Sequence, residues 1–221
     1  MDAAMRFAAL VSGPPTELRL DRACALMAEA FTGIDASNAI ANELDGLADL
    51  CVVPSLHGVL ATLRGRLTGN RSDYYDARNS YLGDVLTRGL GLPITLSVVA
   101  IEVGRRAGVA VEGVGLPGHF IVREQGHDVF GDPFNNGAIY NRAGLLEAWD
   151  GLTGGDQRFD DAFLAPVSDR NILIRMLNNL RMLVLPKADA AQMYSLAVMR
   201  GGFVELAHEG AEHARWVRSL N

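Results

Sequence analysis

The chain has only two cysteines in 221 residues, Cys24 and Cys51. Neither sits in a C-x-x-C pair or another metal-like spacing, so no thiolate metal site is expected. A disulfide is not expected in a reducing compartment, and free cysteine is among the most buried residue types. Both therefore read as small buried apolar residues. Basic runs are also missing. Twenty Lys and Arg stand against 26 Asp and Glu, a formal charge of -6. With no cluster of cations to neutralise a phosphate backbone, nucleic-acid binding is disfavoured. The mild acidity serves solubility. No stretch reaches the roughly 20 apolar residues of a membrane span. The opening MDAAMRFAALVSGPP carries Asp2 and Arg6 and breaks at Pro14-Pro15, unlike a secretory signal with its basic start and longer apolar core. The expectation is a soluble cytoplasmic protein with no membrane or nucleic-acid partner and no cofactor.

Apolar residues make up 49% of the chain, enough for one large domain or one domain with a small appendage. Residues 3–11 read as a short helix stopped by Gly13-Pro14-Pro15. Leu18 to Phe31 is helical, with Leu20, Cys24, Met27 and Phe31 at helical spacing. A further helix runs from about Ser37, with Ile40, Leu44, Leu47 and Cys51 on one face. Pro54 separates it from another striped by Leu56, Val59, Leu60, Leu63 and Leu67. These stripes predict core faces. Beyond Gly69-Asn70 the character changes. Asn79 to Arg88 reads as a short helix, and Gly91-Leu92-Pro93 as a turn in which Pro93 suits the first helical position. The segment Ile94–Ala107 is apolar nearly all round, which predicts a buried helix.

Val109 to Leu116 and Phe120 to Arg123 read as strands, and Gln125-Gly126 turns the chain into a third at His127–Phe130. Gly131-Asp132-Pro133 and Asn135-Asn136-Gly137 are turn signals. Ala143–Trp149 is a short helix, and the Gly/Asp-rich stretch Leu152–Asp161 is the best linker candidate. Helices follow at Asn171–Leu185, about Ala190–Arg200 and Gly202–Leu220. The class is α+β, with a buried core helix on a small antiparallel sheet. The expected division is an N-terminal helical segment over 1–68 packing on a core at 69–150, a linker at 151–167 and a helical tail at 168–221.

The words that stand out in the middle of the chain are Asn70 with Tyr74-Tyr75-Asp76, Arg78-Asn79-Ser80-Tyr81-Leu82, Gly91-Leu92-Pro93-Ile94-Thr95-Leu96-Ser97, Gly113 to Phe120 and Asp132-Pro133-Phe134. In this order, over about 65 residues, they resemble the transglutaminase-like superfamily, and more narrowly its bacterial SirB-like branch. The helical tail opens like that branch with Arg175-Met176-Leu177-Asn178-Asn179-Leu180, and is shorter than the family's helical-repeat region. The resemblance implies a papain-like core in which a helix bearing the nucleophilic Cys packs on a sheet bearing His and Asp. It puts His119 on the general-base histidine and Asp132 on the carboxylate that orients it. It puts Pro93 at the position of the nucleophile. The biochemical activity of the branch is not established.

A cysteine at a helix N-terminus is shifted toward thiolate by the macrodipole, a histidine takes its proton, and a carboxylate fixes the histidine's tautomer. Proline supplies no nucleophile. Thr95 is roughly 200° round the helix from Pro93 and points away. Ser97 shares the face of Pro93 one turn deeper, about 6 Å along the axis, and is the candidate displaced nucleophile. Its bland alternative is a hydrogen bond to a backbone carbonyl one turn back. Ser80 reads first as a helix N-cap, and Cys51 as a core residue. His119 and Asp132 alone make no metal site, since zinc takes three or four protein ligands. His57, His208 and His213 read as surface residues, and the pairs His208/Glu212 and Glu209/His213 as solvated. Gly113-x-Gly115-x-x-Gly118 spells a dinucleotide fingerprint but lies between strands instead of opening a helix, so it is rejected.

Three readings result. The first is a non-catalytic domain whose cleft, lined by Asn79, Ser80, Pro93, Thr95, Gly118 and Phe134 beside the His119/Asp132 dyad, binds a peptide, an acyl group or a partner protein. The second is an acyl hydrolase or acyltransferase with Ser97 as displaced nucleophile. The third is a structural scaffold in which the dyad is a fold-specifying hydrogen bond.

Overall fold

The structure is a computed structural model describing residues 1–154, 158–184, 186 and 189–207. Its contacts divide the chain into two compact units. One joins Met1–Ser37 to the segment from Asp169 onward; the other is Asn38–Ser168.

In the first unit, α1 (Ala3–Ser12) is capped by Asp2, whose side chain accepts from the Met5 N–H, and α2 (Leu20–Thr32) ends on Gly33 in the left-handed conformation. The helical spacing seen in the sequence buries Leu20, Cys24 and Met27 completely or nearly so. The remaining helices of this unit lie after the second unit in the chain, over 169–184 and 190–201. Phe7 meets Phe203 with ring centroids 6.0 Å apart, and the Cys24 thiol lies 3.8 Å from the Met176 sulfur. Of the third C-terminal helix expected over Gly202–Leu220, the described residues show a 3-10 turn at Val204–Leu206. His208, Glu209, Glu212 and His213 lie outside the described residues.

The second unit begins with α3 (Ser37–Asp49) and α4 (Leu56–Leu63), the latter capped by Ser55. Two short parallel strands, β1 (Thr68–Gly69) and β2 (Leu90–Gly91), bracket α5 (Leu82–Arg88). The core helix α6 (Pro93–Arg106) follows, with Pro93 at its first turn as its fixed φ favours. Every residue from Gly91 to Ala100 is buried. Glu102, 2% exposed, is the charged residue buried in this helix, and Arg105 and Arg106 donate to its carboxylate.

Four antiparallel strands then form in order: β3 (Val111–Val114), β4 (Ile121–Glu124), β5 (Phe130–Asp132) and β6 (Ala138–Tyr140). After α7 (Arg142–Thr153), β7 (Pro166–Val167) returns beside β3, giving the sheet order β6-β5-β4-β3-β7. α8 (Asp169–Val184) and α9 (Ala190–Gly201) are the helices of the first unit already described.

Register assigns the two sheet faces. Gly113 pairs with Val122, and Val122 with Gly131. A Cβ on Gly131 would meet Leu60 of α4 at 2.2 Å, and one on Gly104 of α6 would meet Val111 at 2.6 Å. This face therefore carries α4 and α6. The alternate residues Val114, Ile121 and Phe130 form the other face. They pack with Leu116, Leu145 and Trp149 of α7, flanked by Phe159 and Phe163.

Three expectations change. The boundary expected at 68 is not seen, because α3 and α4 belong with the core while α1 and α2 belong with the tail. An apolar stripe marks a buried face but not its partner. The stretch expected as a linker is packed structure where described: α7 continues to Thr153, Asp161–Leu164 is a 3-10 turn, and Phe159 and Phe163 both stand against Trp149. The third core strand begins at Phe130 instead of His127, since Gly126 and its neighbours are used by the hairpin turn.

Two glycines test these assignments in opposite directions. Gly131→Ala should destabilise the protein by about 1–3 kcal/mol through overpacking against Leu60. Gly46→Ala, in the interior of α3 with nothing within 4 Å of its added methyl, should stabilise it by about 0.5–1 kcal/mol. Urea denaturation reads both.

Candidate functional site

Leu116-Pro117-Gly118-His119 is a sequence made for a type II turn, with proline second and a positive-φ glycine third. The His119 N–H donates to the Leu116 carbonyl at 3.2 Å, and Gly118 has φ of 71°. The turn delivers the imidazole at the start of β4. Asp132 ends β5, on the face that carries Phe130. The two side chains meet: His119 Nε2 lies 2.7 Å from Asp132 Oδ2. Their side chains are 9% and 3% exposed.

A second residue holds the carboxylate. Asn135 donates its side-chain amide to Oδ2 at 2.6 Å and its backbone N–H to Oδ1 at 3.1 Å. Such an Asx arrangement follows from the Asp-Pro-Phe-Asn turn. An ionised carboxylate only accepts hydrogen bonds, so the proton between His119 and Asp132 belongs to Nε2. Burial first, and the Asp132 charge second, push the Tyr140 hydroxyl above its ordinary range.

Phe134 packs edge-on to His119 with centroids 5.8 Å apart and against Tyr74 at 6.3 Å. The Arg71 guanidinium lies over the Phe134 ring, 5.0 Å from its centroid. Gly69 donates its N–H to the Phe134 carbonyl at 3.0 Å, and a Cβ there would stand 2.4 Å from the Phe134 ring. Asn70 in turn donates its N–H to the Gly91 carbonyl. Phe134 thus links the dyad to the strand that leads into α6.

The remaining candidate residues fall into two groups. Asn79 is fully buried and structural. It accepts from Asn70 at 3.0 Å, donates to the Asp73 carbonyl at 2.7 Å, and its carbonyl receives the Leu92 N–H at the α6 cap. Ser80 is not the expected N-cap: Tyr81 occupies that position after a 3-10 turn at Ala77–Asn79. The Ser80 and Thr95 hydroxyls are buried without a protein hydrogen-bond partner. Ser97, also buried, donates to the Phe120 carbonyl at 3.4 Å, across to β4 instead of one turn back along its helix. Cys51, expected in the core, is only partly buried beyond the end of α3; it donates to the Val53 carbonyl at 3.3 Å, and its partial desolvation raises its thiol pKa. Among the described residues, no group of three or more His, Cys, Asp or Glu could hold a metal ion, and no helix is long and apolar enough to cross a membrane.

A cavity of about 210 Å³ adjoins the dyad on the α7 side of the sheet. His119, Asp132, Asn135 and Tyr140 supply its polar wall, and Leu116, Ile121, Leu145 and Trp149 most of its apolar wall. Asn79, Ser80, Pro93, Thr95, Gly118 and Phe134 do not line it. Sequence reasoning missed Asn135, Tyr140, Leu145 and Trp149. The Asp-x-x-Asn spacing was the available signal for Asn135, whereas the α7 residues looked like ordinary core.

Asp132→Asn should cost about 1–3 kcal/mol, because an amide cannot accept from all three donors. It should also lower the Tyr140 pKa partway toward 10, leaving the contribution of burial. A raised tyrosine pKa contributes stability that is full below the unfolded value and is lost as pH rises past it. The variant should therefore lose less stability above about pH 10 than the parent. Tyrosine ring NMR and denaturation at two pH values check both.

The profile of the transglutaminase-like superfamily matches residues 19–178. A UPF0162 protein of Xylella fastidiosa is 45% identical over 118 residues, covering 51% of this chain and 42% of the relative. A UPF0162 protein of Pseudomonas aeruginosa is 35% identical over 109 residues, 48% and 39% of the two chains. F-box only protein 21 of Homo sapiens is 43% identical over 58 residues, 26% of this chain and 9% of that protein. The chain spans less than half the length of these relatives. No solved structure matches it significantly. With a buried helix on an antiparallel sheet, a His-Asp pair at the strand ends and a profile match over most of its length, the chain belongs to the transglutaminase-like superfamily.

Proposed function

We propose that this is a non-catalytic transglutaminase-like domain of the SirB-like branch, and that it binds a ligand in the cavity beside His119 and Asp132. The observation that carries the reading is the contrast between the two sides of the dyad. On the α7 side lies a cavity of about 210 Å³ with a mixed apolar and polar wall. At the start of α6 stands Pro93, buried and without a nucleophilic atom. Neither cysteine supplies one at the dyad: Cys24 lies against Met176 in the other unit, and Cys51 bonds to Val53.

The rival enzyme would use Ser97. Its hydroxyl is wholly buried and donates to a backbone carbonyl. Attack on an acyl group would require that bond to break and the base to reach one turn down the helix. The scaffold reading explains the dyad as a fold-specifying hydrogen bond but assigns no role to the cavity.

Purified protein should hydrolyse simple thioesters and amides no faster than background, and His119→Ala should leave that rate unchanged. Turnover abolished by both His119→Ala and a folded Ser97→Ala would replace this reading with the displaced-nucleophile enzyme. Turnover abolished by His119→Ala alone would point to a different nucleophile.

A further inference from the structure

The cavity beside the dyad has a composition that selects among ligands. About 150 Å³ of apolar cavity suffices for benzene, so about 210 Å³ takes one ring or a short branched chain with a small polar end. Larger groups would have to extend into solvent past Gly151, an exposed glycine at its edge. Trp149 and Leu145 come from α7, and Ile121 and Leu116 from β4 and the turn before it. An apolar body is therefore enclosed between helix and sheet.

The polar wall is one-sided in charge. Among the described residues it holds the carboxylate of Asp132 and no Lys or Arg. Asp132 accepts three hydrogen bonds, two on Oδ2 and one on Oδ1. A carboxylate offers roughly four acceptor sites, so among the described residues one direction on Oδ1 is left for a further donor. Tyr140 is kept in its neutral hydroxyl form by burial and by the same charge. An anionic ligand would face the Asp132 carboxylate in a partly desolvated space where the basic side chain at hand, His119, is already bonded to that carboxylate, which is costly. A cation would exchange its whole hydration shell for the single acceptor direction left on Oδ1 in an otherwise largely apolar wall, which is costly as well.

Resting on the reading of this cavity as a binding site, we propose its ligand class. It is an uncharged molecule or group with an apolar body of one ring or a short branched chain, ending in a hydroxyl or amide N–H that donates to Asp132.

The test uses benzyl alcohol, toluene, benzylamine and benzoate as probes of the intact chain, followed by NMR of the Trp149 indole and by calorimetry. Benzyl alcohol should bind saturably and shift the Trp149 resonance. Toluene should bind at least roughly fivefold more weakly for want of the donor. Benzoate and benzylamine should bind at least tenfold more weakly, about 1.4 kcal/mol. Asp132→Asn should narrow the gap between benzyl alcohol and benzoate. Gly151→Phe places a ring at the cavity edge where an added Cβ meets nothing within 4 Å, so it should fold and lose benzyl alcohol binding. Benzoate or benzylamine binding as tightly as benzyl alcohol would overturn the charge assignment, and so would absence of any benzyl alcohol binding. Those failures leave turnover absent. Failure of the underlying non-catalytic reading appears instead as His119-dependent turnover, so the two are separable.

Discussion

A carboxylate that is 3% exposed must be compensated where it stands, because an uncompensated buried charge is among the most destabilising features a fold can contain. Asp132 is compensated by three donors, one from His119 and two from Asn135. Satisfying it fixes much else. The Asp-Pro-Phe-Asn turn must close so that Asn135 folds back over the carboxylate. The Leu-Pro-Gly-His turn must present Nε2 to the same oxygen. Both turns end neighbouring strands, so the β4–β5 register and the dyad geometry require each other. Phe134, carried by the first turn, then packs against His119 and Gly69 and ties this corner to the strands around α5.

The sheet separates two environments that meet at this corner. On one face, α6 and α4 approach so closely that glycine is required at positions 104 and 131. That face is close-packed, and the hydroxyls of Ser97 and Thr95 on α6 are enclosed in it. On the other face, α7 leaves room beside the dyad. In thiol enzymes of this architecture the histidine serves a nucleophile at the helix start. Here the helix start is proline, and the space next to the histidine lies toward α7. Function has to be argued from this site instead of from the fold.

Much of this was legible in the sequence. The all-round apolar run after Pro93 could only be a buried helix, and it is buried through Ala100. The positions of His119 and Asp132, one opening β4 and one closing β5, followed from turn chemistry as well as from resemblance. The illegible parts have physical reasons. β1, β2 and β7 are two residues each, too short for any alternation to appear. The stripes on α1 to α4 announced burial but not which helices share a unit. The partner of Ser97 was misplaced because a carbonyl across on β4 competes with one along the helix, and spacing carries no information about that competition. The cavity was invisible for a similar reason. Leu145 and Trp149 lie beyond β6 on the following helix and read as generic core. Only the return of α7 over β4 and β5 makes them neighbours of Asp132.

We propose that Pro93 stands where a thiol enzyme of this architecture would carry its sulfur. Pro93→Cys tests it most directly. A thiol at the first turn of α6, served by the helix dipole and by His119, should ionise well below the free value of about 8.5. Ultraviolet thiolate absorbance, taken as the difference from the parent protein, measures this without requiring reagent access, and Cys51 does not interfere because its pKa is raised. The account predicts a thiolate transition near or below neutral pH that moves back up when His119→Ala is added. A folded Pro93→Cys protein whose new thiol titrates like a free one, indifferent to His119, would contradict it.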